Sequence, residues 1–246
     1  MNISVAFTHW NRPELLHEAV FPFIADPRVT EIVISDDASH LESYNTVYWQ
    51  FASIDKVKIF RNEVNRDCYF NKQLAVERST NEWVCLLDSD NLFGKEYIDR
   101  LENLWVAGLN EKTVYQPEFA KPHFDFRHIA GVNLTRGNIA NYIHDGRTQT
   151  MLNAANYFVN REQYLKVFDP NIDPVTSDSL YQNHNWLAAG NSIYVVPGLQ
   201  YEHRVHSGSH YQQNVRRTAH GFHESIIDNL KRMKAYSGGF ESQLKG

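Results

Sequence analysis

Asp88-Ser89-Asp90 closes the run Glu82-Trp83-Val84-Cys85-Leu86-Leu87. Trp, Val, Cys and two Leu in succession read as a short strand buried on both faces. Carboxylates at the end of such a strand sit at the mouth of a parallel sheet, the edge where open α/β sheets bind ligands. Two neighbouring carboxylates repel unless a cation lies between them. Hard oxygen donors suit Mg²⁺ or Mn²⁺ carrying substrate phosphates. The local chemistry is therefore a divalent-metal site for a phosphorylated ligand. Asp-Ser-Asp-Asn is also good turn chemistry, so the context of the triplet decides between the two.

That context is an alternation of strand and helix signals. Ile3 to Phe7 is a first strand. Arg12-Pro13-Glu14 opens a helix, with Asn11 as its N-cap and Leu15, Leu16, Ala19 and Val20 on its apolar face. Residues 31–35 form a second strand ending at Asp36-Asp37, and 57–60 a third. Helices are predicted over 41–51, 71–78 and 95–106, and the strand over 82–87 falls between the last two. Val114-Tyr115 begins another strand. Such alternation produces a parallel sheet with helices on its faces. Three strands then end in polar residues: Thr8 with Asn11, Asp36-Asp37, and Asp88 with Asp90. Parallel strands bring these ends to one edge.

Residues 119–151 are rich in Asn, His, Arg and Gly without a clear period. They are either acceptor-binding loops or an irregular solvated connection. Beyond them, 153–159 reads as a strand, 161–167 as a helix, and 179–189 as a helix stopped by Gly190. Residues 192–196 read as a strand ended by Pro197-Gly198. A histidine-rich stretch follows over 201–211, then an amphipathic helix over 218–236 with Phe222, Ile226, Ile227, Leu230 and Met233 on one side. A helix of this kind packs on the core or on a partner subunit, or lies on a membrane surface bearing a lipid-linked acceptor.

The 246 residues suit one α/β domain, or one such domain with an appendage, and 42% apolar content supplies a large core. No apolar run is long enough to span a bilayer. The start of the chain lacks the basic and extended apolar regions of a signal peptide, which points to a cytoplasmic protein. The two cysteines, Cys68 and Cys85, form neither a disulfide framework nor a zinc pattern. A net charge of −5 argues against nucleic acid as a partner.

The chain resembles the family 2 glycosyltransferases of GT-A fold. The resemblance rests on Val5-Ala6-Phe7-Thr8-His9-Trp10-Asn11-Arg12-Pro13, on Ile34-Ser35-Asp36-Asp37-Ala38-Ser39, and on the segment from Asn81 to Asn91 that ends in the Asp-x-Asp motif. Ser177-Asp178 ahead of a helix, and Tyr201-Glu202-His203-Arg204-Val205-His206, extend it. It covers most of the chain up to about Tyr211. Ala38 stands where the family has Gly. So does Asn81, where Asn substitutes for Gly in a left-handed turn. Gln73, after Asn71-Lys72, also replaces a common Gly.

The resemblance implies a GT-A, Rossmann-like, mostly parallel sheet flanked by helices. It implies a single domain over 1–211, with a nucleotide-sugar half (1–110) and an acceptor and catalytic half (111–211), and a C-terminal helical extension over 212–246. The activity implied is metal-dependent, inverting transfer of a sugar from a nucleotide-diphosphate donor, first of all a UDP-sugar, to a glycan, glycolipid or glycoprotein. Asp88 and Asp90 are assigned to donor and metal, with Asp90 the more direct ligand of Mn²⁺ or Mg²⁺. Asp36 and Asp37 would lie by the nucleoside. Thr8, Asn11, Arg12, Asn71 and Ser89 complete the donor-binding set. Asp178 is the implied general base, with Asp173 in reserve. His206 completes the metal shell or contacts the diphosphate, with His203 as its competitor, and Arg204 pairs with diphosphate oxygens. His210, Arg216 and Arg217 follow in a loop suited to closing over the donor. A nucleotidyltransferase is the alternative, disfavoured because no Gly-rich, basic loop follows strand one. A non-catalytic relative is a third reading, and it would be expected to lack the carboxylates.

Overall fold

The computed structural model describes residues 1–143, 145–172 and 177–205. Asp173, His206, His210, Arg216, Arg217 and the helix expected over 218–236, with the whole extension from 212, lie outside the described residues.

One sheet organises the chain. Its strands are β1 (Ile3–His9), β2 (Val29–Asp36), β3 (Val57–Arg61), β4 (Trp83–Asp88), β5 (Thr113–Lys121), β6 (Phe124–Asp125), β7 (Asn133–Thr135), β8 (Tyr157–Asn160) and β9 (Ser192–Glu202). They run in the order β3-β2-β1-β4-β8-β5-β9-β7, with β6 paired to β5. The first four strands are mutually parallel, as the alternation of elements requires. Beyond β4 the sheet is mixed: β8 pairs antiparallel with both β4 and β5, while β5 and β9 are parallel. The helices are α1 (Pro13–Ile24), α2 (Leu41–Phe51), α3 (Asp67–Arg78), α4 (Lys95–Ala107), α5 (Gly146–Leu152), α6 (Arg161–Val167) and α7 (Asp178–Ala188).

Side chains of a strand alternate between the two faces, and the core divides accordingly. Val5, Phe7, Cys85 and Leu87 pack with Leu16, Phe23, Phe51 and Tyr97, under α1, α2 and α4. Ala6, Val84 and Leu86 pack with Val76, Tyr164, Leu180 and Trp186, under α3, α6 and α7. Each fully buried Leu, Val or Phe contributes about 1.5–3 kcal/mol. The same alternation sends Asp88, two residues past Leu86, to the face of α3 and α7.

Several local expectations need correction. Asn11 is not the N-cap of α1. It sits at φ +53, accepts from the His40 amide at 2.7 Å, and its own amide donates to Ser39 Oγ at 2.9 Å. Arg12 takes the cap position without a capping bond, and Pro13 needs no donor partner there. Asn81 is not left-handed among the positive-φ residues. Its side chain instead donates to Ser4 Oγ and Thr30 Oγ1, each at 3.0 Å. Helix α3 starts a turn earlier than its apolar periodicity suggests, at Asp67, which stands at φ +62. Residues 153–156 precede β8 rather than belonging to it. Strand β9 runs through Pro197-Gly198 instead of ending there, because a register shift opposite, between Pro117 and Phe119, absorbs the irregularity.

Candidate active site

The parallel register brings the polar strand ends together. Thr8 lies beside Ser35 on one side and Asp88 on the other, and His9 lies beside Asp36. These are the ends expected to converge.

The end of β2 is built from residues that bond one another. Asp36 is buried, accepts from the Ser39 amide at 3.1 Å, and faces Arg61 Nε at 3.6 Å. Its Oδ2 has no hydrogen-bond partner among the described residues, with His9 Nε2 at 3.9 Å. Asp37 accepts from Asn62 Nδ2 and the Arg66 amide, each at 2.8 Å. Burial raises both carboxyls, against the pull of these donors. Asn71 is buried as well: its Oδ1 accepts from Ser35 Oγ at 2.6 Å and its Nδ2 donates to the Ser35 carbonyl at 3.0 Å. Asp36, Asp37 and Asn71 therefore stand at the expected edge with their polar atoms turned into the protein. Ser89 is buried too.

The acidic end has a different character. Arg12 Nη1 is bonded to the Asp90 carboxylate. Asp88 is held by Asn156, whose Oδ1 accepts from the Asp88 amide at 2.7 Å. Lys72 Nζ lies 3.4 Å from Asp88 Oδ1 and 2.5 Å from Asp178 Oδ2, with Ser179 Oγ at 3.3 Å. Asp178 is the first residue of α7. Burial pulls the Lys72 ammonium down, but the Asp178 and Asp88 carboxylates outweigh it and hold the ammonium well above its ordinary range. Burial pushes the Asp88 carboxyl up, with Lys72 opposing and Asp90 adding to the rise.

Neither Lys72 nor Asn156 stands out in the sequence as a site residue. A lysine on a helix reads as solvated, and nothing local reveals that it is buried. Asn156 had a signal, since Asn tolerates the left-handed region and this one sits at φ +70.

His203 and Arg204 are placed by the chain around them. The His203 amide donates to the Lys121 carbonyl at 2.6 Å, and its ring packs on His123 and Phe124. The Arg204 guanidinium donates to the Asp90 carbonyl at 2.5 Å and the Leu15 carbonyl at 3.0 Å, and pairs with Glu18. Arg204 thus ties the loop carrying Asp90 to α1.

Asp88 and Asp90 fit a hard divalent ion by donor chemistry. Mg²⁺ is commonly held by one or two carboxylates while phosphates and waters fill the shell. Among the described residues there is no preformed cluster of three or more His, Cys, Asp or Glu that could hold a metal. No described helix is long and apolar enough to cross a membrane.

A sheet of this order with carboxylates at its edge defines a GT-A type glycosyltransferase fold. Residues 4–166 match the family described as glycosyl transferase family 2. The chain belongs to this family and is a glycosyltransferase. In solved structures it is similar to S. aureus TarS residues 1–349 in complex with UDP-GlcNAc, with 16% identity and a TM-score of 0.68 over 100% of this chain and 76% of that one. It is also similar to the mannosyltransferase PcManGT from Pyrobaculum calidifontis in complex with GDP-Man and Mn²⁺, with 16% identity and a TM-score of 0.66 over 92% of this chain and 64% of that one. A search of curated protein sequences gave no match.

Proposed function

We propose that the chain catalyses metal-dependent, inverting transfer of a sugar from a nucleoside-diphosphate donor to a hydroxyl of a glycan, glycolipid or glycoprotein. Asp178 is the general base. The observation carrying this reading is the convergence of Asp88 and Asp178 on one ammonium, from positions far apart in sequence. One carboxylate comes from the strand that ends in Asp-x-Asp and the other from the start of a helix in the second half. The similar solved structures contain UDP-GlcNAc and GDP-Man, which supports a nucleotide sugar as donor; a UDP-sugar is the first to test.

In the proposed reaction the acceptor hydroxyl gives its proton to Asp178 as its oxygen attacks the anomeric carbon. The bond from that carbon to the diphosphate oxygen breaks on the opposite face, so configuration inverts. Asp90 and Asp88 would hold a divalent ion, which would supply Lewis-acid neutralisation of the departing diphosphate. Arg12, paired with Asp90, lies beside the same charge. Asp36, Asp37 and Asn71 keep the nucleoside end in shape through Ser39, Asn62 and Ser35.

The test is Asp178→Asn, assayed with a panel of nucleotide sugars. Donor affinity by calorimetry should be nearly intact, while turnover falls by roughly 10² to 10⁴, the usual worth of a general base. Unchanged turnover in this variant, with loss in Asp173→Asn, would move the base to Asp173.

A further inference from the structure

We propose that Lys72 is a positioning residue that acts as the resident counter-ion of Asp88 and Asp178 and competes with a divalent cation for Asp88. The proposal rests on the reading of Asp88 and Asp90 as cation ligands, and it goes further by linking cation loading to the placement of the base. Lys72 is buried, with only 7% of its surface exposed. Its ammonium has three partners: Asp178 Oδ2 at 2.5 Å, Ser179 Oγ at 3.3 Å and Asp88 Oδ1 at 3.4 Å. The charge therefore cannot leave for water without abandoning the burial of its stem.

A divalent ion on Asp88 brings two positive charges close to this ammonium. The repulsion acts at short range in a partly desolvated site, where Coulomb terms are large. Lysine carries its charge on a flexible stem with three donors, so the ammonium has a place to go. It gives up Asp88, its most distant partner, and settles wholly on Asp178 and Ser179. With the cation site empty, Lys72 joins the strand end to the helix start. With the site loaded, Lys72 belongs to the base and fixes one carboxylate oxygen. The other oxygen is left to accept a proton.

The consequence is an antagonism between Lys72 and the metal that is visible without any reaction. Mn²⁺ binding to the full chain, without donor or acceptor, is measured by electron paramagnetic resonance for the wild type, Lys72→Gln, Lys72→Arg and Asp90→Asn. Lys72→Gln keeps a donor for Asp178 but removes the charge. It is expected to bind Mn²⁺ tighter, within the roughly 5- to 150-fold range of coupled sites. Lys72→Arg keeps the charge and is expected to bind no tighter than the wild type. A Gln variant that binds no tighter overturns the proposal, as does an Arg variant that binds as tightly as the Gln variant. Where circular dichroism shows that Lys72→Gln does not fold, Lys72→Met, also uncharged, takes its place under the same criterion. Equal binding by Asp90→Asn and wild type defeats the cation-ligand reading itself. Weakened binding in Asp90→Asn with no effect at Lys72 defeats only the role of Lys72.

Discussion

Asn156 holds Asp88 from the segment leading into the neighbouring antiparallel strand. Its Oδ1 accepts the Asp88 amide at 2.7 Å, its Nδ2 lies 3.4 Å from Asp88 Oδ2, and its carbonyl accepts from Tyr97 Oη at 2.6 Å. It does this from a left-handed backbone, φ +70. The amide of the first carboxylate in Asp-x-Asp is thus capped by a residue 68 positions away.

Asn156→Ala should be destabilising by about 2–3 kcal/mol. A lost buried hydrogen bond costs about 1 kcal/mol or more, and Ala is poorer than Asn in the left-handed region by about 1 kcal/mol. Turnover should fall by about tenfold as Asp88 loses its fixed position, the kind of loss that follows misplacement of a reacting group. Asn156→Gly separates the two causes, since it relieves the backbone but still lacks the amide. A Gly variant with full turnover would confine the role of Asn156 to its backbone conformation.

Asp90→Asn addresses the cation in the presence of donor. Arg12 already pairs with Asp90, so the amide variant loses both the proposed cation ligand and an ion-pair partner while keeping its size. Calorimetry with UDP in Mn²⁺ and in a chelator should show a large gap in affinity for the wild type. The gap should nearly vanish for the variant, because a neutral amide is a poorer hard-cation ligand. A gap that survives in Asp90→Asn would transfer the ligand role elsewhere.

The parts of this molecule legible in its sequence are those set by period and by strand ends. The alternation of β1 to β4 with α1 to α3 follows from apolar runs and from Pro13 at the start of α1, whereas the cap read at Asn11 does not hold; the runs also give the convergence of Thr8, Asp36 and Asp88. The parts that were not legible depend on side chains meeting across the fold. Lys72 reads as a surface lysine because a buried cation is recognisable only from its partners, and those are Asp88 and Asp178 on other elements. The internal partners of Asp36 and Asp37, which are Ser39, Asn62 and Arg66, come from loops with no periodic signal. The bend of β9 at Pro197-Gly198 reads as a stop because the compensating shift lies on a different strand, β5.

Ala38 stores strain that a single atom group would release. It stands at φ +56, at the position after Asp36-Asp37 where the resembling family carries Gly. A left-handed residue with a Cβ costs roughly 1–2 kcal/mol. Glycine returns part of that through its freer unfolded chain, about 0.4–1 kcal/mol. Ala38→Gly should therefore stabilise by about 0.5–1 kcal/mol and raise Tm by about 1–4 °C for a chain of this size. Differential scanning calorimetry reads the sign directly. A lower Tm would show that the loop gains more from the methyl group than it loses to strain.

His184 makes the fold sensitive to acid. It lies in α7, is 2% exposed, and neither ring nitrogen has a hydrogen-bond partner among the described residues. Burial lowers its pKa from 6.5 to about 3. The folded state therefore keeps the ring neutral, while the unfolded chain takes up a proton near its ordinary value. Between those two values the unfolded state binds more protons, so stability is present above about pH 6.5 and is lost as pH falls toward 3. Linkage gives about 2 kcal/mol of this loss by pH 5. His9, also lowered to about 3 by burial and by Arg12, adds in the same direction. Asp36 and Asp37, raised by burial, act in the opposite one. A difference between two proteins isolates one group from the rest. Urea unfolding at pH 7.5 and pH 5 should show a smaller drop for His184→Leu than for the wild type, by about 2 kcal/mol. If the variant loses as much stability on acidification as the wild type, His184 is not held neutral in the fold.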